Sequence, residues 1–201
     1  MKKLLTLLIA TVALFSTSCS SSKGSIEGKK MEKTEQQKLA EAKPACRTWG
    51  EATQFNQSFA KTYAEGQARA EFARKLATMV QTASRQATDG ADIAHSDGEN
   101  SSQGHDQGIT SNAFAQQVAD GMVSGLAIIS SDTYKLKDGQ YHVYVCMEWQ
   151  GSVDKMAQEM TQNYRKRVEQ QVSDQDRAKM EVRYEEFKKS IEEQLRRLQD
   201  N

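Results

Sequence analysis

The stretch that decides the fold is Leu126–Trp149, LAIISSDTYKLKDGQYHVYVCMEW. Leu126 to Leu136 and Gln140 to Trp149 read as two strands. Asp138-Gly139 between them is a two-residue hairpin signal, because Gly supplies the positive φ that tight turns require. The second strand alternates with period two. Tyr141, Val143, Val145, Met147 and Trp149 fall on one face; His142, Tyr144, Cys146 and Glu148 fall on the other. The first set is the core face.

Upstream, Ala45 to Ala52 holds Trp49 and Gly50 and reads as a short first strand. Phe55 to Ala87 reads as a long amphipathic helix. At 100° per residue, Phe55, Phe59, Gly66, Ala70, Ala73, Leu76, Ala77, Val80, Ala83 and Ala87 share one face. Thr88 to Thr110 breaks it with four glycines and many Ser, Asp and Gln, and reads as a long mobile loop. Ser111 to Gly125 is a second helix with Phe114, Val118, Met122 and Val123 inward. The fold class expected is α+β: a long Ala-rich helix on a small antiparallel sheet with a β-hairpin, then a long charged helical extension.

That extension, residues 152–201, contains no Pro, and its Gly-free run from Ser152 to Asp200 would measure ~73 Å as one helix. Its apolar residues form two stripes. Val153, Ala157, Met160, Tyr164 and Val168 make the first; Met180, Tyr184, Phe187, Ile191, Leu195 and Leu198 make the second, on the opposite side. Ser173-Asp174-Gln175-Asp176 between them resembles a capping box. Either two helices break near 173, or one helix uses opposite faces for two contacts. The first stripe is expected on the domain. The second is the candidate partner-helix face, for an envelope protein or self-association. No sustained heptad is present, which makes a long coiled coil the lesser reading.

The opening residues carry the localisation. Met1-Lys2-Lys3, an apolar run from Leu4 to Phe15, and Ser16-Thr17-Ser18 before Cys19 describe a secretory signal over 1–18. The apolar run is too short to span a bilayer. A Cys at that place resembles a bacterial lipoprotein signal, with Ser16 where Leu is usual, as in the relaxed signals of Bacteroidota. The resemblance implies that Cys19 is lipidated on sulfur and acylated on its amine, as with palmitate. Ser20 resembles the sorting residue of outer-membrane lipoproteins. The expected location is therefore the cell envelope, on the outer membrane and facing the periplasm. Residues 19–44, rich in Ser, Gly and Lys at first, are expected to tether the domain, with a frayed helix over Met31–Lys43 ending before Pro44.

Composition narrows the function. The chain has 201 residues, with 27 basic and 27 acidic. Losing Lys2 and Lys3 leaves a formal −2. No net field draws in a nucleic acid backbone. There is no phosphate loop, dinucleotide fingerprint or serine elbow, so no enzyme and no cofactor is expected. His95, Asp97, Glu99, His105 and Asp106 crowd the 88–110 loop and are weak candidates for a divalent metal, in no closed motif. Cys46 and Cys146 are left once Cys19 is lipidated. They either form a disulfide, worth up to ~4.7 kcal/mol across such a loop, or remain separate thiols. His142 and Cys146 lie ~13 Å apart along a strand, too far for a nucleophile–base pair.

The short strand around Trp49-Gly50-Glu51, the Ala-rich helix through Ala60, Ala64, Ala68, Ala70 and Ala73 with Arg69 and Leu76, and the hairpin ending Gly139–Glu148 together resemble the LPP20 family of bacterial lipoproteins and the related N-terminal domain of the flagellar assembly protein FlgT. The similarity covers about Cys46 to Gly151, within an expected domain of 45–151. It implies a small α+β envelope domain with no catalytic residues to carry over. The expected function is that of a non-enzymatic, lipid-anchored envelope protein binding other envelope components through its sheet edge or C-terminal helix. The alternative is a module binding a small ligand or divalent metal with the 88–110 loop.

Overall fold

The computed structural model describes residues 32–94, 109–170 and 177–200. From Lys33 onward the described chain is one compact unit. It holds helix α1 (Glu35–Ala42), strand β1 (Arg47–Gln54), helix α2 (Gln57–Ala94), helix α3 (Asn112–Asp120), a 3-10 turn (Val123–Gly125), strands β2 (Leu126–Lys135) and β3 (Tyr141–Trp149), and helices α4 (Val153–Glu169) and α5 (Arg177–Gln199). This is the α+β architecture expected, with the long helix on a three-stranded antiparallel sheet.

The sheet order is β1-β3-β2, so the strand with the clearest alternation is central. Val143, Val145, Met147 and Trp149 are buried as expected. The hairpin differs in one detail. Leu136 N donates to Gln140 O (2.7 Å) and Gly139 N donates to Leu136 O (3.1 Å), leaving a three-residue loop. Gly139, at φ 85°, takes the left-handed position that such loops need.

Helix α2 starts under Asn56, whose Oδ1 accepts from Ser58 N (2.8 Å) and Phe59 N (3.2 Å). Its buried stripe is Ala60, Ala64, Ala68, Phe72, Leu76, Met79, Val80, Ala83 and Ala87. The C-terminal half matches the sequence reading. The N-terminal half does not: Phe55, Phe59, Gly66 and Ala70 are exposed. The cause is β1. Gly50 presses its backbone onto Ala64 and Ala68, and Thr48 Oγ1 donates to Ala68 O (3.1 Å). Only a face of alanines lets strand and helix approach that closely. The helix also continues through Thr88 to Ala94, where a loop was expected.

The C-terminal half of α2 is covered by α3 and α5, and α4 packs on those two. Ser111 caps α3 and Ser152 caps α4. Phe114, Val118 and Met122 are buried from the first; Met156, Ala157, Met160, Tyr164 and Val168 from the second. Tyr164 stacks on Phe187 (3.8 Å between centroids) and meets Phe114 and Tyr184 edge-on. Helix α5 thus folds back beside α4, and Arg165 pairs with Glu181 across them. The expected break at 173 lies outside the described residues, on the stretch between these two helices.

Two expectations are corrected by this packing. The partner-helix face, Met180, Tyr184, Phe187, Ile191, Leu195 and Leu198, belongs to the chain's own core: the first five are buried and Leu198 is half-buried against it. Gln194 Nε2 reaches Met79 O of α2 (3.3 Å), and Ser190 bonds Gln86. The residues from 152 on are part of the domain. So is α1, expected within the tether. Thr34 and Gln37 form a capping box, and Gln36 and Ala40 are buried against the sheet.

Candidate functional site

The sheet has two faces. Thr48 and Gly50 of β1 and Val143, Val145 and Met147 of β3 face α2. Arg47, Trp49, Glu51 and Thr53 of β1 face the other way, with His142, Tyr144, Cys146 and Glu148 of β3, in the register Thr53↔His142, Glu51↔Tyr144, Trp49↔Cys146 and Arg47↔Glu148. Strand β2 adds Tyr134 opposite His142 and Asp132 opposite Tyr144.

Helix α1 covers one end of this outer face. Gln36 Nε2 donates to Asp132 Oδ2 (2.8 Å) and Ser130 Oγ (3.2 Å). Arg47 Nη1 donates to Leu39 O (3.1 Å), while Arg47 Nε and Lys43 Nζ donate to Glu148 (2.9 and 3.3 Å). Burial pushes the Glu148 carboxyl up, but the hydrogen bonds and charges of Arg47 and Lys43 together outweigh it and hold the group below its usual range.

The other end is not covered by α1 and carries an aromatic shelf. His142 and Tyr144 have ring centroids 4.4 Å apart, and Tyr134 stands edge-on to Tyr144 at 6.0 Å. His142 Nδ1 is hydrogen bonded to Thr53 Oγ1 (2.6 Å), and Nε2 lies 3.3 Å from Glu51 Oε2. The ring is thereby fixed from both sides. Burial, then the charge of Glu51, push the Tyr144 phenol up, so it stays a neutral donor at physiological pH. The shelf offers flat, half-exposed surface with fixed polar atoms, the makings of a contact surface.

Beside it, β2 is an edge strand of ten residues in which only Leu126 is buried. Ile128 and Ile129 are exposed, and a bulge lies between Ile128 and Ser130. The opposite edge, on β1, is occupied by α2. Gln67 accepts from Glu51 N (3.0 Å), and Lys75 Nζ donates to Pro44 O (2.8 Å) and Arg47 O (3.0 Å). Burial lowers the Lys75 pKa.

The two thiols are buried and free, so of the two alternatives the structure holds separate thiols. Trp149 N donates to Cys46 O (2.9 Å), while Cys146 stands opposite Trp49. That is three residues along the ladder, ~10 Å, and a disulfide tolerates less than ~7 Å between Cα atoms. Burial pushes both thiols up, away from the thiolate that nucleophilic chemistry needs.

Cys19 and the metal candidates His95, Asp97, His105 and Asp106 lie outside the described residues. Among the described residues no group of three His, Cys, Asp or Glu could hold a metal, and no helix is long and apolar enough to cross a membrane. The alternation of β3 placed His142 and Tyr144 on the outer face. The contribution of Tyr134 and Thr53 depended on strand register and was not read from sequence. Compared with protein-family models, curated proteins and solved structures, the chain matches none.

Proposed function

We propose that the chain is a lipid-anchored, LPP20-like protein of the cell envelope, acting without catalysis as an interaction module for other envelope components. Cys19 is its anchor, holding it on the outer membrane toward the periplasm. The observation that carries the reading is the open side of the sheet: a ten-residue edge strand, β2, beside a shelf of Tyr134, His142 and Tyr144. An extended segment of a partner can add to such an edge through backbone hydrogen bonds, with side chains on the shelf giving selectivity.

In-cell photo-crosslinking tests this. A photoreactive residue at Ser131, on the exposed edge, captures a defined envelope protein, and the double variant Ile129→Lys/Thr133→Lys abolishes capture. The same probe at Gln158 on α4 captures nothing. Equal capture at both sites, or none at Ser131, sinks the reading. The anchor is checked separately: mass spectrometry finds acyl chains on Cys19, and Cys19→Ala leaves the membrane fraction.

A further inference from the structure

The start of the stripe that the sequence marks as apolar, Phe55 and Phe59, is left bare by the fold, and Tyr63 stands bare beside it. Phe55 is 74% exposed, Phe59 63% and Tyr63 62%. Phe59 and Tyr63 stand one turn apart on one flank of α2, and Phe55 immediately precedes its cap, Asn56. The neighbouring flank, through Ala60 and Ala64, already serves the core. Large exposed aromatics grouped like this mark a contact surface, since nothing in the fold requires them.

The hairpin loop lies at the same end of the sheet as Phe55. Strand β1 finishes at Gln54 opposite Tyr141, and α2 begins directly after it. Phe55, Asn56, Gln57, Ser58, Lys61 and Tyr141 line one open depression there. Tyr134 and Leu136 are exposed beside the loop. Within residues 55–63 and 134–141 the charges are Lys61, Lys135 and Lys137 against Asp138 alone. An otherwise near-neutral chain thus has one end that is both aromatic and basic.

The path of the chain selects the occupant. Helix α1 runs along the outer face from Gln36, at Ser130 and Asp132, toward Lys43, at Glu148. Its first residue is therefore on the hairpin side. The fifteen residues Ser20–Thr34 join it to Cys19 and reach at most ~50 Å at ~3.3 Å each.

We propose that this end docks on the bilayer that holds the anchor, a reading that rests on the lipidation of Cys19. Phe55, Phe59 and Tyr63 enter the headgroup layer, and Lys61, Lys135 and Lys137 meet anionic lipid phosphates. Anchor and patch then act as two linked contacts, which orients the β2 edge instead of leaving it to tumble. A second copy fits less well, because two-fold pairing of this end sets its lysines against their own copies.

The test uses the full lipidated chain on vesicles of phosphatidylethanolamine and phosphatidylglycerol, three to one. An environment-sensitive fluorophore is placed at Ser58→Cys or, as control, at Gln158→Cys. The label at 58 shifts to the blue and is quenched by lipid-borne quenchers; the label at 158 does neither. Phe55→Ser/Phe59→Ser abolishes the shift. Each of Lys135→Glu and Lys137→Glu weakens docking at least five-fold, and added salt does the same. A chain that floats with the vesicles while both labels report water overturns the proposal and leaves the anchor standing. A chain that does not float overturns both. Shielding of the label at 58 without vesicles, with a doubled mass in light scattering, assigns the patch to a second copy and overturns the proposal.

Discussion

Gly50 sets the distance between sheet and helix. A Cβ there would sit 2.6 Å from Ala68 N and 3.2 Å from its Cα, and closer still to Ala64 O. All three are backbone atoms and cannot rotate aside. Overpacking of this kind costs about 1–3 kcal/mol, and the rigid neighbours place it at the upper end. Gly50→Ala is expected to lose about 3 kcal/mol in urea unfolding, with an unchanged slope. Loss below about 1 kcal/mol would mean that α2 can move away from β1. Trp149 shows the same dependence from the other side. Added Cβ atoms at Gly125 and Gly151 would both strike its ring. The indole is clamped between two residues that have no side chain, and its Nε1 is buried without a hydrogen-bond partner.

At the scale of elements, α1 is fastened by charge. Arg47 and Lys43 both meet Glu148, whose side chain is only 22% exposed. Glu148 is held below its ordinary value of 4.5. Between the two values the unfolded chain therefore binds more protons than the folded one. The stabilisation is complete above about 4.5 and is lost as pH falls through the folded value. Glu148→Gln is expected to flatten the acid limb of a stability–pH curve below about 4.5, and an unchanged limb assigns acid loss to other carboxyls. The elements differ in how legible they were. Strand β3 alternates in burial except at Cys146, buried on the outer face, so its faces were plain and its hairpin was placed, though with a loop one residue longer than expected. Helix α2 was recognised, but its first turns were turned to the wrong side. Phe55 and Phe59 dominate any hydropathy sum, whereas Ala60, Ala64 and Ala68 contribute little to it. Close approach to Gly50 selects the small residues, and that is a property of the pair. The aromatic shelf was half legible for the same reason: parity within β3 is local, while the partners from β1 and β2 come with register.

The described residues share one core, and α5 completes it. Phe187, Ile191 and Leu195 are fully buried, with Met180 and Tyr184 nearly so. At roughly 1.5–3 kcal/mol per side chain, these five match the ~5–15 kcal/mol that a domain has in total. A stop after Asp176 is therefore expected to abolish cooperative unfolding, seen as loss of the near-ultraviolet signal and of a sharp thermal transition. A truncated chain that still melts sharply would restore α5 as a detachable arm. Loss of a partner in such a variant would report loss of fold.

The pairing of α2 with α5 also sets an order in time. Gln86 waits for Ser190, 104 residues downstream, and Met79 waits for Gln194, 115 residues away. Strand β1 waits about as long for β3, with Arg47 facing Glu148. Helix α2 can form early but has no complete surface to lie on until the residues through Leu195 have been made. Closure of the fold therefore waits on contacts more than 100 residues apart in sequence, and the entropy of closing those loops, more than helix formation, sets its pace.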